Sequence, residues 1–264
     1  MIPIYGETNE DAWFQAVQHF ITEGKKLEYN LILEIKNPAA TDTRSKAIRN
    51  ALDDLLRDSR DDLYSINTVA ETIFPAAEYK KHGVKGVMEI YPDVVYPKIQ
   101  CNPGNGRGTY ALRLVRGVDA NNKKCNPLAN VLAKLKSQLG RGNSAIRCAY
   151  ELPLDDVATI VINRNDKPIR GFPCLSHLSF KLNEDRSSLI LTALYRSQNY
   201  IEKALGNLRG LARLQSFVAR ELDISVGPLV CHSTYASLDT HNNLGRTKVS
   251  VLLGNIRGDF DGGQ

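Results

Sequence analysis

"GFPCLSHLSFKL" (residues 171–182) runs through the turn residues "NEDR" (183–186) into "SLILTALYRS" (188–197), and the reading of this pair decides the fold. In the first segment Leu178, Phe180 and Leu182 alternate with His177, Ser179 and Lys181, the period of a strand with one packed and one polar face. The second segment is an apolar run ending in Tyr195-Arg196-Ser197, so the two predict a β-hairpin. Cys174 follows Pro173 at the mouth of the first strand. A cysteine there is either an inert thiol against the core or, with a cation beside it to lower its pKa, a nucleophile.

Outward from the hairpin, a long helix is predicted through Leu208, Leu211, Ala212, Val218 and Leu222, with Asn207 in its first turn. Asn207 there is either a helix N-cap or an amide offered to a ligand. Upstream, "NEDAWFQAVQHFITEG" places Trp13, Val17, Phe20 and Ile21 on one helical face, with Gly24 as a stop. "SKAIRNALDDLLRD" and "LANVLAKLKSQLG" predict two further helices, the latter with a stripe of Leu128, Val131, Leu132, Leu135 and Leu139. "NLILEI", "KGVMEIYP", "AIRCAYEL" and "VATIVINR" read as strands by length and by β-branched or aromatic content. There is no internal repeat and no break in composition, so residues 1–264 are expected to form a single α+β domain.

With 42% apolar and 24% charged residues the composition is that of an ordinary globular protein, and no apolar run approaches the roughly 18 residues of a membrane span. The acidic start "MIPIYGETNEDAW" does not resemble a secretory signal, and a cytoplasmic location is expected. The five cysteines are widely spaced, form no Cys-x-x-Cys pair and are expected to be reduced thiols. His232 and His241 are too isolated to predict a metal site. A net charge of +5 and a pI near 8.9 favour anionic ligands. The basic pairs are not interleaved with aromatics, which argues against nucleic acid as a partner. "NPGNGRGTY" (102–110) lacks the Lys-Ser/Thr of a phosphate loop and reads as a mobile loop.

Pro173-Cys174, Tyr195-Arg196-Ser197 and Asn207, with gapless spacing over roughly residues 171–230 including "ELDISVGPLV", resemble the thymidylate synthases and their relatives, the pyrimidine nucleotide hydroxymethylases. "NTVAETIFP", with Glu71 and Phe74, and "GRGTY", with Tyr110, resemble two shorter segments of that family. The resemblance implies a large twisted mixed sheet covered by helices on one face, assembled as a homodimer. It implies a pyrimidine nucleoside monophosphate as substrate and 5,10-methylenetetrahydrofolate as one-carbon donor. Cys174 would add to C6 of the base, and Arg196 and Ser197 would hold the phosphate. Asn207 would read the base edge, and Glu71 and Tyr110 would manage protons.

The sequence departs from that pattern in several places. Leu175 replaces a histidine, and Asn199 stands where an aspartate holds the folate pterin. Asn143 and Ser144 replace two arginines that reach the partner's phosphate, leaving Arg141 and Arg147 nearby. Ser237 and Asp239 replace the residues that hold the sugar hydroxyl. The single tryptophan, Trp13, lies in the first helix, and the chain ends at Gln264, soon after Asp239. The eroded folate half leaves a second expectation, a related nucleotide-binding or interaction module without the chemistry; for an active enzyme it favours hydroxymethylation over methylation.

Overall fold

The computed structural model describes residues 2–59, 63–102, 104–106, 108–119, 121, 123–141, 146, 148–154, 173–238 and 244–261. "VATIVINR" and the positions of Asn143, Ser144, Arg147, Asp239 and His241 lie outside the described residues.

The chain opens with strand β1 (Ile2–Gly6), helix α1 (Asn9–Thr22) and strand β2 (Leu27–Ile35), and β1 and β2 pair in parallel. Thr8 caps α1 by accepting from the Asp11 N–H, and Gly24 ends it at φ +69, a left-handed conformation that costs a glycine nothing. The face of Trp13, Val17 and Phe20 is fully buried. Helix α2 (Thr43–Ser59) follows as predicted.

The expected hairpin is present as β6 (Leu175–Leu182) and β7 (Ser188–Tyr195), antiparallel, with β5 (Glu151–Pro153) beside β6. Only Glu151 and Leu152 of "AIRCAYEL" are in that strand among its described residues. Helix α8 (Ala204–Glu221) crosses from β7 to the long strand β9 (Ser225–Ser237), which pairs with β7 in parallel and with β2 antiparallel. The result is a mixed seven-stranded sheet in the order β1-β2-β9-β7-β6-β5, with the short β8 (Gln198–Asn199) added along β9.

Helices α1 and α8 pack on the sheet face that buries Leu31, Leu33, Leu191, Ala193, Leu229 and Cys231. Buried Gln215 ties α8 down: its Nε2 donates to the Leu189 and Gly227 carbonyls, at 2.8 and 2.9 Å, beside an irregularity in the β7–β9 register. The other face presents Ile32, Ile190, Leu194 and Val230, partly exposed, together with Glu151, His177 and Lys181. There Glu151 accepts from His177 at 2.7 Å, from Ser179 at 3.0 Å and from Lys181.

"KGVMEIYP" corrects the sequence reading. It is not a strand but most of a π-helical segment, Gly86–Val95, set between the short helices α4 (Ala76–His82) and α5 (Tyr96–Ile99). β-Branched and aromatic residues favour a strand only where a sheet receives them, and here Val87 and Tyr91 are buried by tertiary packing instead. Pro92, which has no N–H, sits inside the widened turns. Gly86 is needed at the bend, because a Cβ there would lie 2.2 Å from the Glu78 carbonyl oxygen. The remaining helices are α3 (Ile66–Glu71), α6 (Tyr110–Val115), α7 (Pro127–Leu139) and α9 (Arg246–Asp261); the two-residue strands β3 (Gly117–Val118) and β4 (Lys124–Cys125) pair with each other.

Four irregularities line up across the sheet. In β2, Asn30 adopts φ +56, and on either side of it the buried residues change from even to odd positions. β9, running antiparallel to β2, makes the reverse change, from odd to even positions, at Thr234, so the register survives while both strands swap faces. β7 breaks after Tyr195 and resumes as β8 in unchanged register with β9, and β6 slips by one between Leu175 and His177. Thr234 Oγ1 donates to the Arg196 carbonyl at 2.9 Å, across the gap. Bulged and kinked strands re-aim side chains, and here the redirected ends face one cleft.

Candidate functional site

That cleft has a volume of about 1020 Å³ and is bounded by the redirected strand ends, the start of α8, the end of α3 and the helical turns from α4 to α6. Cys174, Glu71, Tyr110, Ser197, Asn199 and Asn207 all line it, drawn together from distant parts of the chain. Ser237 lines it as well.

Cys174 is half-buried, packed against the core on one side and open to the cleft on the other. Cys231 shows what an inert core thiol looks like: it is fully buried, and burial pushes its pKa up to about 12. The backbone around Cys174 is held from two directions. Tyr110 Oη accepts from the N–H groups of Cys174 and Leu175, at 3.0 and 3.2 Å, and the Cys174 carbonyl accepts from the Arg196 N–H at 2.9 Å. Tyr110 reaches that position from the first turn of α6, capped by Thr109 and preceded by Gly108 at φ +92.

Arg196 is exposed and does not line the cleft; its Nε donates to the Pro173 carbonyl at 3.0 Å, one residue before Cys174. Arg141, just past the end of α7, is likewise outside the cleft lining. Asn199 lines the cleft, but its side-chain oxygen is used locally, accepting from the Ile201 and Glu202 N–H groups at 2.9 Å each in the turn that leads into α8. Asn207 is not the N-cap, a position held by Lys203. It lies in the first turn with its N–H on the Lys203 carbonyl, almost fully buried at the cleft wall.

Glu71 ends α3. Its Oε1 accepts from Arg213 Nη1 at 3.1 Å and its Oε2 from the Ala77 N–H at 3.4 Å. Burial holds its pKa above the usual carboxylate value, opposed by the Ala77 N–H and by Arg213. Such a carboxyl can exchange protons nearer to neutral pH than an exposed one.

Sequence reading missed several members of the site. Lys203 lines the cleft with Nζ 4.7 Å from the centre of the Tyr64 ring, and burial pulls its pKa down while Glu202 and the Cys174 side chain oppose that fall. Arg113 contributes a second cation and is positioned by donating to the Leu154 carbonyl at 3.1 Å. Gln198 is 2% exposed, with Oε1 accepting from Ser233 Oγ at 2.6 Å. Tyr91 lines the helical wall, where its hydroxyl pairs with Thr109 Oγ1 at 2.7 Å. Gly104, Asn105 and Gly108 form a lip, so the glycine-rich stretch borders the cleft. None of these belongs to a pattern that spacing reveals, although Lys203 stands only four residues before Asn207.

No cluster able to hold a metal ion occurs among the described residues, and among them no helix is long and apolar enough to cross a membrane. No family model matches the chain, and no curated protein matches it.

Proposed function

We propose that the chain has a thymidylate synthase-like fold and is a pyrimidine nucleotide C5 one-carbon transferase acting through a covalent adduct at Cys174. The observation that carries this reading is the convergence of Cys174, Glu71, Tyr110, Ser197 and Asn207 on one cleft. Its volume, about 1020 Å³, is at the top of the roughly 300–1,000 Å³ range of small-molecule sites and leaves room for two ligands.

In this reading the Cys174 thiolate adds to C6 of the base. The C5–C6 π pair moves toward C4=O4, and C5 becomes a carbon nucleophile. Lys203 favours the thiolate as a nearby cation. Asn207, with one amide acceptor and one pair of donors, holds the base edge and stabilises the charge that develops at O4. Ser197 and the cleft cations Lys203 and Arg113 suit the phosphate. After C5 has bonded to the incoming carbon, its proton leaves through water ordered at Glu71. The donor nitrogen would leave as its bond to the transferred carbon breaks, water would add to that carbon, and expulsion of the Cys174 sulfur then restores the C5–C6 double bond. Tyr110 positions the nucleophile by fixing the backbone on both sides of it.

5,10-Methylenetetrahydrofolate would supply the one-carbon unit. Its ring suits the apolar wall of Tyr91, Val95 and Ile99, while the Asn199 oxygen is already committed to its turn. The sheet face carrying Ile32, Ile190, Leu194 and Val230, opposite the face covered by α1 and α8, suits a homodimer.

The test is tritium release from C5-labelled pyrimidine nucleotides, with mass spectrometry of the protein. Wild type is expected to exchange tritium and gain one nucleotide mass on Cys174, and Cys174→Ser to do neither. Exchange by Cys174→Ser at the wild-type rate would refute the covalent mechanism. Tight nucleotide binding without exchange by either protein would identify a binding module instead.

A further inference from the structure

A second cavity, of about 280 Å³, opens where the start of α1 meets α4 and α8. Three guanidiniums, Arg209, Arg213 and Arg220, are among its described lining residues, and no carboxylate is. Their spacing along α8 places all three on one helical stripe. The carboxylates within reach are already shared. Glu10, fully buried, accepts from both Arg49 and Arg209 at 2.7 Å on the same oxygen, and Glu71 accepts from Arg213. Among the described residues these four guanidiniums are thus met by two carboxylates, Glu10 and Glu71. Burial lowers the Arg213 pKa, and the charges of Arg209 and Arg49 push the same way, as expected of crowded cations. Asn9 also lines the cavity; it is 2% exposed, its Oδ1 has no hydrogen-bond partner among the described residues, and its Nδ2 donates to the Pro38 carbonyl.

We propose that this cavity binds a phosphate-sized oxyanion, and that the anion draws Arg213 away from Glu71, coupling occupancy here to the ionisation of a carboxyl in the main cleft. Guanidinium forks match phosphate oxygens, and a monoprotonated phosphate also brings the O–H donor that Asn9 Oδ1 requires. Glu71 lies between the two cavities: its α3 carboxyl lines the large one, and its partner Arg213 lines the small one. The other groups facing Glu71 are Glu78 on α4, Tyr91 on the π-helical segment and the Ala76 and Ala77 N–H groups. Arg213 is the cation bound to it, so losing that contact raises its pKa. The coupling depends only on this arrangement and stands whether or not Cys174 is a nucleophile.

The experiment follows the carboxyl carbon resonance of Glu71 in the full chain labelled with 13C-glutamate, assigned by its loss in Glu71→Gln. The pH titration is run in chloride and in inorganic phosphate at equal ionic strength. Phosphate is expected to shift the Glu71 titration upward in wild type. In Arg220→Gln, an exposed change, it should do so only at about tenfold higher concentration, the loss of one charge-assisted contact. In Lys203→Gln, which alters only the main cleft, the shift should persist. A titration that ignores phosphate in wild type would overturn the proposal. So would a shift that survives Arg220→Gln unchanged and vanishes in Lys203→Gln, which would place the anion in the main cleft.

Discussion

Gly206 and Gly210 let α8 approach α3 closely enough for Asn207 and Glu71 to share a cleft, and alanine at either position tests that approach. A Cβ on Gly206 would stand 2.5 Å from Val69 Cβ and 2.9 Å from the Ile66 carbonyl oxygen; on Gly210 it would stand 2.8 Å from Ile73 Cβ and 2.9 Å from the Ala70 carbonyl oxygen. Carbon atoms pack at about 3.5–4.0 Å, so the helices must part by about 1 Å. Overpacking of this kind costs about 1–3 kcal/mol, against a gain of about 1 kcal/mol for replacing glycine within a helix. The net loss is up to about 2 kcal/mol, or a fall in Tm of up to about 8 °C for a chain of this size. Gly254, in α9, has nothing within 4 Å of its added Cβ and supplies the control. Gly254→Ala should collect the helical gain alone and raise Tm by about 2–4 °C. Thermal melts followed by circular dichroism measure all three variants. If Gly206→Ala melts as high as Gly254→Ala, the close approach of α3 and α8 is not what the glycine is for.

Lys203→Gln removes a cation that interacts with Cys174 and should slow alkylation of that thiol by iodoacetamide at neutral pH about tenfold, and an unchanged rate would dismiss Lys203 as a thiolate stabiliser. Arg213→Gln removes a group that opposes the burial-driven rise of the Glu71 pKa, so the acid limb of the pH–activity profile should move to higher pH; a move to lower pH, or none, would mean that Glu71 does not set that limb. Turnover with methylenetetrahydrofolate should release tetrahydrofolate and a hydroxymethylated base, because the one tryptophan is buried with its Nε1 on the Tyr200 carbonyl and cannot wall the cleft against water. Stoichiometric dihydrofolate, seen as rising absorbance near ~340 nm, would show methylation instead.

The elements most legible in the sequence were those with a strong period and a local stop signal. The β6–β7 hairpin, α1 up to Gly24 and the stripe of α7 all follow from alternation or helical spacing. The π-helical segment did not, because "GVMEIYP" has strand-like content and only its packing against α4 and α6 makes it helical. The site was legible where residues flank such elements, as with Cys174 and Ser197 at strand ends. It was illegible where a residue serves through position alone. Lys203 belongs to no pattern, and the two roles open to Asn207 are separated only by the helix start at Ala204, which makes Lys203 the N-cap. One available signal went unused: the glycines at 206 and 210, one helical turn apart, mark the contact with α3.

The line of kinks across the sheet gives the main cleft two walls of different stiffness. On one side Cys174, Asn199 and Ser237 stand on backbone that remains hydrogen-bonded to neighbouring strands through the kinks. On the other, Tyr91, Val95, Ile99 and Asn105 sit on short helical turns whose hydrogen bonds close within the segment itself. Amide hydrogen exchange should therefore divide along the cleft, slow on the strand side at the level of global unfolding and fast on the helical side through local opening. A ligand would find half of its contacts already in place, and the protection it adds on binding should appear almost wholly between residues 86 and 106.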